Sequence, residues 1–207
     1  MNTQPDHDHI LKRTAKERLA PMGITQKGRS RTFLYDKGWY TIIIEFQPGS
    51  FAKGSYLNVG ADLHFFPREH PAFSYGYRVE DLSEFENEEQ WFRAVHRLCD
   101  RAIGEVRRIE HDLSDHRRAV GSLRQAFEGE PWQRYELGFL RALNGDPLRA
   151  RWHLMRIAMS GAEHDVEQQR KSLAKEILGK LGHREELQHF LNDVIRRTRV
   201  AKGLQAP

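Results

Sequence analysis

Leu11, Ala15 and Leu19 fall four residues apart, with Lys12, Arg13, Lys16 and Glu17 around the rest of the circumference, a spacing that predicts a first helix from about residue 8. Pro21 and Gly23 end it, because proline disfavours helix in the residue before it and glycine suits a left-handed stop. Residues 1–7 show no periodicity and read as a loose terminus. The period changes to two at Thr32-Phe33-Leu34-Tyr35, a strand, and Asp36-Lys37-Gly38 supplies a hairpin turn. A second strand over residues 39–47 contains Ile42-Ile43-Ile44, which has no polar side and predicts a central strand covered on both faces. Residues 56–66 predict a third strand, with Leu57, Val59, Ala61, Leu63 and Phe65 alternating against Tyr56, Asn58, Gly60, Asp62 and His64. Residues 72–79, with Phe73, Tyr75 and Tyr77 on one side, read as a fourth. Short connections favour an antiparallel meander closed by a helix on one face.

Helical spacing takes over after Asn87, an N-cap followed by Glu88 and Glu89, and Trp91, Val95, Leu98, Ala102 and Val106 form one stripe. A further helix is expected over residues 115–127, broken by Gly129-Glu130-Pro131, and four more helical segments follow. Within these, Leu140, Gly145, Ala150 and Leu154 recur at one constant offset as Ile177, Gly182, Leu187 and Leu191, each set spanning helix, glycine turn and helix. The stretch from Leu137-Gly138 to Ala150, with its Asn144-Gly145-Asp146-Pro147 turn, resembles a tetratricopeptide unit, and two ordinary helical hairpins account for the same pattern. The fold class is therefore α+β: a small antiparallel four-stranded sheet with a flanking N-terminal helix, followed by an all-helical C-terminal half. Residues 8–127 would form the α+β domain and residues 130–202 a helical-hairpin extension, unless the two make one continuous domain.

The order of signals in residues 19–66 resembles a bacterial family known as domain of unknown function 4304. The resemblance is carried by Leu19-Ala20-Pro21-Met22-Gly23-Ile24, by Lys27 and Gly28 before the strand start at Phe33, by Ile44-Glu45-Phe46-Gln47, and by Tyr56-Leu57-Asn58-Val59-Gly60. Ile24 stands where the family pattern has an aromatic residue. The resemblance implies the layout of helix, hairpin and sheet; it implies no activity and brings no catalytic residues with it.

Composition narrows the classes. Hydrophobic residues are 39% and charged residues 30% of the 207, and aromatic residues reach 10%, which is too rich for a disordered chain. No apolar run approaches a membrane span, and the first nine residues lack the basic and apolar segments of a signal peptide, so a cytoplasmic protein with no membrane partner is expected. The single cysteine, Cys99, excludes an internal disulfide framework and falls in the apolar row of a helix. The formal net charge of +4 is spread over alternating acidic and basic residues, as on any solvated helical surface.

Several groups carry candidate chemistry. His7 and His9 could ligate a metal at two-residue spacing, as could the i, i+4 pairs His111/Asp115 and Asp112/His116, although Asp112 or Ser114 could equally cap the next helix. Tyr56, Asn58, Asp62 and His64 share the polar side of the third strand with Gln47 at the end of its neighbour, a set suited to ligand binding or acid/base work. Lys27, Arg29 and Arg31 beside glycines could recognise phosphate or carboxylate. A second basic run, Arg196-Arg197-Thr198-Arg199, is explained by its place at a helix C-terminus. Phosphate-binding glycine loops, nucleophile elbows, zinc-protease helices and dinucleotide fingerprints are missing from the sequence, and no metal or cofactor is expected. The leading expectation is a non-enzymatic binding module that meets another protein or peptide through the C-terminal helices, with Trp132, Tyr135, Phe139, Trp152 and Phe190 as contacts. The alternatives are an enzyme or small-ligand binder using the polar sheet face, and nucleic-acid binding through the basic loop.

Overall fold

The computed structural model describes residues 7–204; the expectation for the first residues of the chain falls, but for His7, outside them. Helix α1 (His7–Leu19) buries Leu11, Ala15 and Leu19 and closes in a 3-10 turn at Ala20–Met22, where Gly23 takes φ 78° and returns its N–H to the Ala20 carbonyl. Then come β1 (Thr25–Gln26), β2 (Thr32–Asp36), β3 (Tyr40–Pro48), β4 (Gly54–Leu63) and β5 (Tyr75–Glu84), in spatial order β1-β2-β3-β4-β5. The helices α2 (Glu88–Asp112), α3 (His116–Gln125), α4 (Pro131–Leu143), α5 (Pro147–Ala158), α6 (Asp165–Lys180) and α7 (Arg184–Ala201) complete the chain.

The sheet has five strands, not the four that alternation predicts. The additional one, β1, pairs Thr25 with Leu34 and Gln26 with Phe33. Two residues carry no period; the strand exists because the following turn folds it back, with Lys27 N–H bonded to the Thr32 carbonyl at 2.9 Å and Gly28 at φ 56°. The strand with the Ile42-Ile43-Ile44 run is third of five and is buried on both sides, as its composition requires. Strand β4 stops at Leu63 rather than at Phe66, and β5 runs over Tyr75–Glu84, later than residues 72–79. Asp115, not Asp112 or Ser114, caps α3 by accepting from the Arg118 N–H at 2.8 Å.

Two compact units emerge. The first holds the described chain up to Asp62 together with Ala72–Glu110; the second holds Leu63–Pro71 and the chain from His111 onward. In the first, Leu11, Leu19, Phe33, Ile42, Ile44, Phe46, Leu57, Val59, Trp91, Val95 and Leu98 are fully buried and make the core. Asn87 caps α2 by accepting from the Gln90 N–H at 2.9 Å, and Cys99 is buried on that helix, where the apolar surroundings push its thiol up to about 12. Ion pairs from Arg18 to Asp100 and from Lys37 to Glu110 tie α2 to α1 and to the β2–β3 hairpin.

In the second unit successive helices pack on one another from α3 to α7. A Cβ added at Gly138 would lie 2.7 Å from Leu154 Cγ, so the glycine is what lets α4 approach α5 this closely. Phe65 stacks on Phe139 with centroids 4.5 Å apart, and the Tyr135 hydroxyl donates to the Phe65 carbonyl at 2.9 Å. Beyond the end of β4, the Phe65 carbonyl thus takes its hydrogen bond from a helix side chain. Among the described residues no helix is long and apolar enough to cross a membrane.

Candidate functional site

The polar side of β4 is only partly the cluster its alternation suggests. Asn58 Nδ2 donates to Glu45 Oε2 and to Gln47 Oε1, both at 2.9 Å, and Arg78 reaches Gln47 Oε1 at 3.1 Å. The same guanidinium lies 4.2 Å from the centre of the Tyr56 ring. Gln47, Tyr56 and Asn58 are thus brought together, joined by Glu45 and Arg78. Their hydrogen-bonding capacity is spent largely on one another across β3, β4 and β5. Asp62 and His64 are fully buried, Asp62 at the end of β4 and His64 in the turn after it, so neither presents a group to solvent.

The basic loop is also divided. Arg31 turns inward, its Nε 2.5 Å from Asp8 Oδ1 and Nη1 3.2 Å from the Gly54 carbonyl, and so anchors the start of α1 to the sheet. Lys12 adds a second cation to Asp8. Burial opposes ionisation of that carboxyl, but hydrogen bonds and charge from Lys12 and Arg31 prevail and hold it below its ordinary range. Lys27 and Arg29 are exposed on the turn. His9 is exposed, whereas His7 packs its ring 5.6 Å from that of Phe85.

Of the aromatic residues expected to meet a partner, Tyr135 and Phe139 are buried in the helical core and Trp132 and Phe190 are half-buried. Trp152 alone is exposed, and it lies on a face that its neighbours complete. Helix α5 begins at Asp146, which accepts from the Arg149 N–H at 3.3 Å, with Pro147 pre-shaped for the first turn. Its inner side buries Ala150, His153, Leu154 and Ile157. Its outer side presents Leu148, Trp152, Met155 and Met159, at i, i+4, i+7 and i+11, from 41% to 80% exposed.

Cations surround this stripe. Arg149, Arg151 and Arg156 are exposed on the same helix, which contains no acidic residue. The Trp152 ring lies between Arg134 and Arg156, whose guanidinium carbons are 5.6 and 5.1 Å from its centroid. Leu148, Met155 and Met159 escape a reading of the sequence because apolar residues on both sides of a helix look like core on both sides. The signal available was the width of the apolar arc in α5, broader than one buried stripe requires.

Beside Trp152, the imidazole of His153 is held down to about 4 by burial first and then by the cations of Arg141, Arg134, Arg124 and Arg156. Since the unfolded chain protonates this group near 6.5, it binds more protons than the folded one between pH 6.5 and about 4. Stability contributed by the neutral ring is complete above that window and is lost as pH falls through it. His116, lowered chiefly by burial, acts with the same sign. Urea midpoints measured from pH 7 to pH 4.5 should therefore fall, and more steeply for the native chain than for His153→Gln; equal slopes would show that His153 is not the group responsible.

Compared with protein-family models, with curated proteins and with solved structures, the chain matches none.

Proposed function

We propose that the chain is a non-enzymatic binding module whose helical unit receives an acidic amphipathic helix of a partner protein on the outer face of α5. The observation that carries this is the stripe of Leu148, Trp152, Met155 and Met159, left uncovered between arginines on a helix without a single acidic side chain. Such spacing matches the i, i+4, i+7 anchors by which helices meet. Tryptophan and arginine are the residues that dominate binding energy, and methionines adapt to a partner's shape. Arginines on both flanks favour a partner with acidic flanks and disfavour a second copy of the same face. On the sheet, Asn58 is engaged with Glu45 and Gln47 while Asp62 and His64 are buried, which favours binding over acid/base chemistry there.

Fluorescence anisotropy tests the reading with a labelled helical peptide carrying leucines at i, i+4 and i+7 and glutamates on both flanks. The peptide should bind, lose affinity as salt rises, and bind roughly tenfold or more weakly to Trp152→Ala and Met155→Ala. Equal affinity for these variants, or binding of anionic vesicles or duplex DNA in place of the peptide, would overturn it.

A further inference from the structure

Next to the stripe, residues of and beside helices α3, α4 and α5 border an open cavity of about 480 Å3 lined by Arg124, Phe127, Leu137, Arg141, Arg149, Trp152 and His153. Its size falls within the range of small-molecule sites. Arg141 is 6% exposed and His153 8%, and the Nε of the first and the Nδ1 of the second are buried with no hydrogen-bond partner among the described residues. Neither nitrogen is accessible from the cavity, which instead offers a ligand the guanidinium groups of Arg124, Arg141 and Arg149.

The charges identify its class. Arg141 Nη1 donates to Asp146 Oδ2 at 2.8 Å, and Arg149 Nη1 reaches the same oxygen at 3.3 Å. One carboxylate therefore serves two of the three guanidinium groups, and Arg124 adds another cation at the mouth. The surplus of two positive charges matches the dianion of a phosphate monoester, whereas a monocarboxylate would leave one uncompensated. With Nη1 of Arg141 held by Asp146, Arg124 and the remaining side-chain donors of Arg149 are left for the phosphoryl oxygens. Phe127, Leu137 and the indole of Trp152 supply apolar walls for a planar body attached to the phosphate.

We propose that this cavity is a binding site for a small phosphate monoester with a flat apolar group. The site shares Trp152 and Arg149 with the outer face of α5, whereas Leu148, Met155 and Met159 do not line it and belong to peptide docking alone.

Isothermal titration of the full chain with phenyl phosphate, inorganic phosphate and benzoate tests the assignment. Phenyl phosphate should bind most tightly and quench tryptophan fluorescence. Arg124→Gln, an exposed position whose loss leaves folding intact, should weaken it by roughly tenfold, and Arg141→Gln by roughly tenfold to a hundredfold. Should Arg141→Gln fail to fold, Arg149→Gln serves in its place and should also weaken binding. Met159→Ala should leave phenyl phosphate affinity unchanged while weakening the acidic peptide, which separates the two sites. Absence of binding at millimolar phenyl phosphate, benzoate binding as tightly, or affinity unaffected by Arg124→Gln and Arg149→Gln would each overturn the proposal.

Discussion

Trp91→Ala should lower the urea midpoint sharply, at a cost of about 3–5 kcal/mol, the range for deleting a large aromatic side chain from a closed core. The indole is fully buried on the first turn of α2, and its ring meets Phe85 edge-on at 6.0 Å and His7 at 6.2 Å. Its Nε1–H also donates to the His7 carbonyl at 2.8 Å. That bond fastens the first turn of α1 to the first turn of α2. A helix of 13 residues is marginal in isolation, so α1 depends on such tertiary support. Trp91→Phe separates the two contributions: it retains most of the ring packing and loses the hydrogen bond, and should cost about 1–3 kcal/mol. Equilibrium urea unfolding followed by circular dichroism measures both. A loss under about 1 kcal/mol for Trp91→Ala would mean that the indole does not buttress α1.

How far the fold could be read beforehand depended on whether each element carried its own period. The α1 stripe, the all-apolar Ile42-Ile43-Ile44 strand, the Asn87 cap and the α2 stripe each repeat often enough to declare themselves, and each lies where its pattern places it. Strand β1 is two residues long and has no period to read. At the end of β4 the alternation continues in sequence through His64 and Phe65 although the strand has stopped, and the Phe65 carbonyl accepts from the Tyr135 hydroxyl, a partner distant in sequence that no local pattern announces. Strand β5 carries Arg78, Glu80, Asp81 and Glu84 after Tyr75 and Tyr77, so an edge strand with little apolar content was legible only at its aromatic start.

The candidate sites divide in the same way. Gln47, Tyr56 and Asn58 converge because cross-strand neighbours follow from alternation, but their partners Glu45 and Arg78 depend on register, which no local pattern encodes. Arg31 reads in sequence like Lys27 and Arg29, yet only Arg31 faces Asp8. The α5 stripe and the arginine cavity behind it come from three helices meeting. An apolar or cationic residue has the same letter whether it is covered or left open, and only the packing of α3, α4 and α5 distinguishes the cases.

The second large effect is expected where two glycines oppose each other across β4 and β5. Gly60 pairs with Gly76, and Gly76 has φ +132°, a conformation that side-chain-bearing residues rarely adopt. A Cβ at Gly76 would lie 2.2 Å from Gly60 Cα and 2.4 Å from the Val59 carbonyl oxygen, and both of these are backbone atoms that no rotamer change can move. Gly76→Ala combines backbone strain with overpacking and should cost about 3 kcal/mol or more. Gly104 provides the opposite case, since it is exposed within α2 and a Cβ there meets nothing within 4 Å. Gly104→Ala should raise stability by about 1 kcal/mol through helix propensity alone. Urea midpoints of the two variants should thus shift in opposite directions from the same added methyl group. A Gly76→Ala protein as stable as the native chain would mean that β4 and β5 do not pair in this register.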